Sequence, residues 1–309
     1  MKGITEVFRF IMPDKKLPAE KRKQQLIEQM DEFLELEPLK EVMELLHTDL
    51  DNLKRDYDGR SKAGGKVVEM QVMNPVEEIE KLREKLYPLL VELGFFHINK
   101  PRFESNSRII VLGGSYNACF KRTRCAAQWK DSSTISVDGL SCYRPINPKE
   151  RRNSEFISSS ETEFGVLAEA FASTFDFSKD DFEEEFVSDR NLNSISCIRK
   201  YGSTYRIYAA SSGAPELRRA DTGDTLKFYK ENAGISSDDT ILAVTNNIFC
   251  NRQLLQLAHF IIEEGLAVDI DVIGYDSGDS IATAESYTPI LYVQEIISIL
   301  DWIDRFKAE

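Results

Sequence analysis

The chain has 309 residues, and its 39 Lys and Arg side chains against 52 Asp and Glu give a formal net charge of −13 at pH 7. An acidic balance of this kind excludes a broad basic surface for nucleic acid. Hydrophobic residues make up 42% of the chain, which is enough for a packed core. Because no apolar run approaches the roughly 18 residues of a membrane helix, we expect neither a nucleic-acid partner nor a membrane span.

The cysteines and histidines limit the chemistry further. The five cysteines show no Cys-x-x-Cys spacing, and the opening segment MKGITEVFRFIMPDKK is too interrupted by charge for a signal peptide. Both features predict a cytoplasmic protein with reduced thiols. The three histidines form no His-x-x-x-His pair, and no spacing identifies a cofactor or a metal.

The first third of the chain predicts helices. Residues 19–57 carry apolar side chains at helical spacing with a break at Pro38, and another helix is predicted between Pro75 and Gly94. The segments are short for a coiled coil, which favours helices that pack on the rest of the chain. We therefore predict an N-terminal helical region over residues 1–100, with docking of a protein partner as the alternative.

From residue 108 onward, short β-branched runs alternate with helical segments. The predicted strands are 108–114, 133–139, 204–210, 240–246 and 268–274, and the predicted helices are 115–129, 160–174, 221–232, 250–264 and 290–306. This alternation predicts an α/β domain over residues 101–309, with a Rossmann-like, mostly parallel sheet and helices on both faces. Two excursions, 140–159 and 176–203, interrupt the alternation. Ligands of such sheets bind beyond the C-terminal ends of the strands.

Basic side chains follow several of the predicted strands at this edge. They are Lys121, Arg122, Arg124, Arg144, Lys149, Arg151, Arg152, Arg218, Arg219 and Arg252. Arginine suits planar contact with carboxylate or phosphate, and glycines such as Gly113 and Gly114 let backbone N–H groups approach an anion. The cluster therefore predicts an anion pocket. Ordinary exposed arginines that pair with the surplus acids are the alternative.

Carboxylates open two of the predicted helices at the same edge. Glu161 and Glu163 follow a run of serines, and Asp221 precedes Thr222 at the start of the next helix. Helix capping explains these positions, because acids and hydroxyls satisfy the first N–H groups of a helix. A general base or a metal ligand is the other interpretation. Spacing alone leaves both open.

Several standard sites are not indicated. Gly113-Gly114 belongs neither to a GxGxxG fingerprint nor to a GxxxxGK[ST] phosphate loop, and the chain contains no GxSxG elbow. No histidine is placed to activate a cysteine of this edge, so cysteine catalysis is not expected.

The order of the segments IIVLGG, TISVDG, SETEFGVLAEAF, ADTGDTLKFYKE and ILAVTNNIFCNRQ resembles the SanA/ElyC/YdcF family of domains of unknown function. The resemblance covers residues 108–274. By position, the residues that match the family's motifs are Gly113, Gly114, Arg124, Asp138, Gly139, Glu161, Glu163, Thr222, Thr225, Thr245, Asn246 and Arg252. The segment around Cys250 lacks the histidine that the family has before its arginine, and Asp221 stands where the family prefers Asn. The resemblance implies a Rossmann-like fold and, for some members, a nucleotide or S-adenosylmethionine ligand.

We therefore expect the C-terminal strand edge to bind an anionic small molecule, such as a nucleotide or S-adenosylmethionine. The residues expected to contact it are Gly113, Gly114, Arg124, Asp138, Gly139, Arg218, Arg219, Thr222, Thr245, Asn246 and Arg252. Glu161, Glu163 or Asp221 would hold a polar group or a metal, or act as a base in phosphoester or nucleotide hydrolysis or transfer. A non-catalytic protein that senses a metabolite or binds a protein partner is the alternative.

Overall fold

The computed structural model describes residues 7–57, 77–151, 154, 156–178, 181–187, 191–275 and 287–308. Two compact units make up the chain. The first comprises Met1–Asn99, Asn247–Leu255 and Asp276–Glu309, and the second comprises Lys100–Asn246 and Gln256–Tyr275. The segment 58–66, whose three glycines predict a loop, and the predicted helix start at Pro75 lie outside the described residues.

The first unit is helical. Its helices are α1 (Ala19–Glu35), α2 (Glu37–Leu45), α3 (Leu50–Tyr57), α4 (Glu77–Glu80), α5 (Arg83–Glu92) and α10 (Pro289–Ala308). The predicted break near Pro38 is confirmed, because α1 ends at Glu35 and Pro38 stands in the first turn of α2, where its missing N–H has no partner to lose.

The core of this unit is built from the apolar faces of these helices. Leu26, Met30 and Phe33 of α1 are fully buried, as helical spacing predicts. Phe10 packs on Phe33 with ring centroids 5.5 Å apart. The ring of Tyr292 on α10 stacks on Phe96 at 5.2 Å.

The second unit contains a seven-stranded sheet among the described residues. Its strands are β1 (Arg108–Leu112), β2 (Ser136–Ser141), β3 (Glu183–Val187), β4 (Ser196–Tyr201), β5 (Tyr205–Ala209), β6 (Thr240–Asn246) and β7 (Asp269–Tyr275). Their order is β3-β4-β5-β2-β1-β6-β7. The run β5-β2-β1-β6-β7 is parallel throughout. The predicted α/β fold with a Rossmann-like, mostly parallel sheet is confirmed.

Helices cover both faces of this sheet. They are α6 (Tyr116–Trp129), α7 (Glu163–Phe175), α8 (Thr222–Ala233) and α9 (Cys250–Glu263), whose second half belongs to this unit. Neighbouring residues of β2 show the two faces, because successive side chains of a strand point to opposite sides. Asp138 accepts a hydrogen bond from Tyr229 of α8 at 2.9 Å, whereas Gly139 faces Leu167 of α7.

The strands β3 and β4, at one side of the sheet, lie in the excursion at 176–203, where the sequence predicts no strand. β4 pairs with β5 and β3 pairs with β4, each in antiparallel orientation. The residues of β3 are all exposed and mostly acidic, so the sequence shows no apolar alternation there. The strand is held by cross-strand ion pairs instead: Arg199 pairs with Glu184 at 2.7 Å, and Lys200 pairs with Glu185.

Candidate functional site

The candidate site lies beyond the C-terminal end of β1. In the sheet, β1 lies between β2 and β6. The later parallel strands are added on both sides of β1, so the strand order reverses its direction there. Open α/β sheets bind ligands in the crevice at such a point. Here the three residues Gly113, Gly114 and Ser115 connect β1 to α6, and each is only partly buried.

Gly113 is a glycine because other groups occupy the space beside it. Its N–H donates to the carbonyl of Leu140 at 2.6 Å, and a Cβ at this position would lie 2.7 Å from that same oxygen. The Cβ would also overlap the carboxylate of Glu163. Glu163 is the first residue of α7, whose N-cap Thr162 accepts a hydrogen bond from the N–H of Gly165 at 3.2 Å.

A buried ion triad lies next to this backbone. The Arg144 guanidinium donates from Nε to Glu163 at 2.9 Å and from Nη1 to Glu150 at 2.7 Å. All three side chains are less than a tenth exposed. Burial by itself lowers the pKa of Arg144, but the two carboxylates outweigh burial and raise it, so the residue stays charged.

Arg122 of α6 forms a second buried cluster under the same loop. Its Nε donates to the side-chain oxygen of Asn246 at 2.7 Å, and its Nη1 donates to the carbonyl of Leu112 at 2.6 Å and to that of Gly113. The side chain is 4% exposed, so it lies beneath the loop rather than in the crevice. Arg122 thereby ties the end of β1 to the end of β6.

The two arginines fix the orientation of the loop's peptide groups. Arg122 binds the carbonyl of Gly113, and Arg144 binds the carbonyl of Gly114 at 2.8 Å. In a trans peptide the C=O and the following N–H point in opposite directions, and the described residues contain no cis peptide. The N–H groups of Gly114 and Ser115 therefore point away from the guanidinium groups. No acceptor for either N–H is found in the described part of the chain.

The next N–H along the chain is already used. The carboxylate of Glu150 accepts from the backbone N–H of Tyr116 at 3.1 Å, so a side chain of the protein caps the first turn of α6. The N–H groups of Gly114 and Ser115, just before the helix, remain open donors.

The structure brings together four residues that the sequence selected: Gly113, Gly114, Glu163 and Asn246. Thr245 lies beside Asn246 in β6 and is fully buried, with no partner for its hydroxyl among the described residues. Glu161 precedes α7 and is exposed, and its backbone carbonyl accepts from Ile146 at 2.8 Å.

Two of the exposed arginines make their contacts elsewhere. Arg124 lies on the ring of Phe156, 4.6 Å from its centroid. Arg218 pairs with Asp224, and also with Asp221 at 3.2 Å, within the segment that leads into α8. Arg219, next to it, is exposed.

Asp221 and Asp224 form a capping box at the start of α8. Asp221 accepts from the N–H of Asp224 at 3.0 Å, and Asp224 accepts from the N–H of Asp221 at 3.0 Å. Thr222 is the first residue of that helix, and the hydroxyl of Thr225 donates to the Asp221 carbonyl. The capping interpretation of Asp221 therefore describes what its carboxylate does in this structure.

Three predicted residues lie elsewhere. Asp138 and Gly139 stand inside β2 rather than after it, because the strand begins at Ser136 and ends at Ser141. The Asp138 carboxylate is fully buried under α8. Arg252 belongs to the first unit, where it pairs with the buried Glu295 at 2.6 Å.

The main structural side chains of the loop were not selected as site residues. Arg122 and Arg144 were predicted only as members of the basic set, and Glu150 was not predicted. Helical phase is a signal for Arg122, since Cys119 and Ala126 lie three and four residues away on the buried face. Arg144 and Glu150 stand in an irregular segment, where no periodicity reports burial.

The nearby thiols are not activated. Burial, with the charge of Glu163 as the next cause, raises the pKa of Cys119 and of Cys142 to about 12. At neutral pH both residues are therefore uncharged thiols rather than nucleophilic thiolates.

Among the described residues, no group of three His, Cys, Asp or Glu side chains is placed to hold a metal ion. None of the described helices combines the length and the apolar character that a membrane span requires. No family model matches the chain, and neither does any curated protein or solved structure with which it was compared. The resemblance to the SanA/ElyC/YdcF family therefore stays a prediction.

Proposed function

We propose that the protein binds an anionic or nucleotide-like small molecule at the C-terminal end of β1. The observation that carries this proposal is the orientation of the Gly113–Ser115 backbone. Two successive N–H groups, on Gly114 and Ser115, point away from the guanidinium groups that hold the neighbouring carbonyls. Such a pair of backbone donors is suited to phosphate or carboxylate oxygens.

Preorganisation favours binding at this loop. The carbonyls are held by arginines that are themselves fixed by Glu150, Glu163 and Asn246. The loop therefore loses little conformational freedom when a ligand binds, and more of the interaction energy appears as affinity. Arg124 stands in the third turn of α6 and stacks on Phe156, so we expect it to add long-range attraction rather than direct contact.

If the ligand is turned over, phosphoester or nucleotide hydrolysis or transfer is the reaction class that fits, because aligned donors stabilise the charge that develops on phosphoryl oxygens. A non-catalytic sensor is the second candidate. One observation favours it: both carboxylate oxygens of Glu163 accept hydrogen bonds, from Ser141 at 3.2 Å and from Arg144 at 2.9 Å. Glu163 thus positions Arg144, and a base would have to come from another group.

A thermal-shift screen of the whole chain tests the proposal. The panel contains inorganic phosphate, ADP, ATP, S-adenosylmethionine and glucose 6-phosphate. A ligand at about 100 times its dissociation constant stabilises the folded state by roughly 2.7 kcal/mol, an easily detected shift. We expect at least one phosphorylated or adenosyl compound to raise the melting temperature. An unchanged melting temperature across the panel would contradict the proposal. If a compound does raise the melting temperature, an assay for its turnover distinguishes an enzyme from a non-catalytic sensor.

A further inference from the structure

A second polar cleft lies on the α8 side of the sheet, between β4, β5 and the end of α8. Its volume is about 240 Å³. The polar residues that line it are Glu185, Lys200, Arg206, Tyr208 and Asn232, and Ile198 and Gly202 complete the lining. Ile198 pairs with Tyr208 and Lys200 pairs with Arg206 in the antiparallel register, so these four side chains share one face.

The charges around this cleft leave one cation without a carboxylate partner. Lys200 pairs with Glu185, and Arg108 farther along the sheet pairs with Asp239 at 2.7 Å. Arg206 forms no ion pair in the part of the chain that the structure describes. Its guanidinium makes a long hydrogen bond of 3.5 Å to the carbonyl of Ser203 and lies beside the hydroxyl of Tyr208.

Asp138 lies on the same face as Arg206, but the two form no ion pair among the described residues. The two residues are neighbours across β2 and β5. Asp138 is fully buried and already accepts from Ser136 at 2.6 Å and from Tyr229 at 2.9 Å. Burial raises the pKa of Asp138.

Tyr208 supplies a second donor. Its side chain is fully buried, and no described group accepts the proton of its hydroxyl. Burial, with the charge of Asp138 as the next cause, raises its pKa to about 12, so the hydroxyl keeps its proton at neutral pH. A buried hydroxyl without an acceptor is unfavourable, and a ligand oxygen in the cleft would satisfy it.

We infer that this cleft binds a small organic anion whose carboxylate or phosphate oxygens accept hydrogen bonds from Arg206 and Tyr208. The fork of the guanidinium suits two oxygens of one such group, and Ile198 offers an apolar surface for the carbon skeleton. The volume is below the roughly 300–1,000 Å³ of pockets for drug-sized ligands, which restricts the ligand to a small molecule.

This site is separate from the one proposed above and does not depend on it. Arg206 is the second residue of β5, near the N-terminal end of that strand. Gly114 follows the C-terminal end of β1, which is parallel to β2 as β2 is to β5. The two sites therefore lie toward opposite ends of the parallel strands.

Titration of the ¹⁵N-labelled whole chain with succinate, and separately with inorganic phosphate, tests the inference by amide chemical shifts. We expect saturable shifts at residues 198–208 with one or both anions. The substitution Arg206→Ala should weaken binding by about tenfold or more, and Tyr208→Phe by about threefold or more, because each removes a donor to a charged group.

The control is Lys227→Ala, which removes a positive charge from an exposed position of α8 outside the cleft. It should leave both dissociation constants unchanged. The inference is overturned if neither anion shifts residues 198–208 at about 10 mM, a concentration that reveals even millimolar affinity. Equal affinity in the wild type and in Arg206→Ala would also overturn it. Shifts confined to residues 113–115 would report on the β1 site instead and would count against a site in the cleft.

Discussion

The carboxylate of Glu163 fills the space beside Gly113 that a side chain would need. A Cβ at residue 113 would overlap this carboxylate and would lie 2.7 Å from the Leu140 carbonyl. The glycine therefore permits an ion pair, between Glu163 and Arg144, to sit directly against the end of β1. Through Arg144, that ion pair determines where the carbonyl of Gly114 points. This contact therefore links the glycine at position 113 and the packing around it to the peptide group that we propose binds the ligand.

The substitution Gly113→Ala should destabilise the fold strongly. Neither the fixed carbonyl nor the paired carboxylate can move without breaking a buried contact, so we expect a loss of about 3 kcal/mol in the free energy of unfolding. Urea denaturation measures this loss. Gly223→Ala in the first turn of α8 is the control, because a Cβ there meets only the Asp221 carboxylate at 3.2 Å. Equal stability of the two variants would contradict the crowding at Gly113.

The substitution Arg144→Met should cost about 3–5 kcal/mol of stability, because it leaves Glu150 and Glu163 buried without their shared cation. Arg124→Met removes an exposed arginine of similar size and should change the free energy of unfolding by about 0.5 kcal/mol or less. Denaturation of the two variants under the same conditions gives the comparison. A loss below about 1 kcal/mol for Arg144→Met would show that the triad is not held as described.

The pair between Arg108 and Asp239 predicts a pH dependence. Burial alone raises the pKa of Asp239, but hydrogen bonds from the Ser236 N–H, Arg108 and Ser107 lower it below its ordinary value of 3.8. The stability from this carboxylate is therefore present above about pH 3.8 and is lost as the pH falls through the lowered pKa. Asp239→Asn should be less stable than the wild type at pH 7 by about 3 kcal/mol.

The difference between wild type and Asp239→Asn should shrink when unfolding is measured at decreasing pH, because the wild-type residue is then protonated as well. A constant difference from pH 7 down to about pH 2 would show that ionisation of Asp239 contributes nothing.

The thiols should be unreactive in the folded protein. All five cysteines are buried, and burial raises the pKa of Cys125 to about 11 and, with nearby negative charge, that of Cys119, Cys142 and Cys197 to about 12. We expect a disulfide reagent at pH 8 to label none of them within minutes, and to label all five once urea unfolds the chain. Rapid labelling of one thiol in the native protein would contradict its burial.

Most of the fold could be predicted, because local patterns determine it. The five parallel strands are β-branched runs bounded by turn residues, and the helices between them show clear periodicity. The strands β3 and β4 could not be found this way. Their stability comes from pairs such as Arg199–Glu184, whose partners are fifteen residues apart and become neighbours only in the sheet. A stretch of exposed glutamates carries no local signal for a strand.

The site was predicted less completely, for a physical reason. Gly113, Gly114 and Glu163 stand at element boundaries, where turn and capping chemistry makes them visible. The residues that orient the loop, Arg122 and Arg144, are buried arginines whose partners are backbone carbonyls and carboxylates distant in sequence. Position after a strand selected Arg124 and Arg218 equally well, although both are exposed. Only the fold separates buried from exposed arginines.

Binding by two variants at position 115 tests the central claim most directly. Ser115 has φ near −65°, the angle that proline requires, and its side chain makes no capping hydrogen bond. Ser115→Pro therefore removes the N–H and keeps the backbone angle φ of residue 115. Ser115→Ala keeps the N–H and removes the hydroxyl.

The affinity of both variants is measured by calorimetry with the compound that most stabilises the wild type. We predict that Ser115→Pro weakens binding by about tenfold or more, because it removes a hydrogen bond to a charged group, and that Ser115→Ala binds like the wild type. Wild-type affinity in a folded Ser115→Pro variant would contradict the claim that the Ser115 N–H binds the anion.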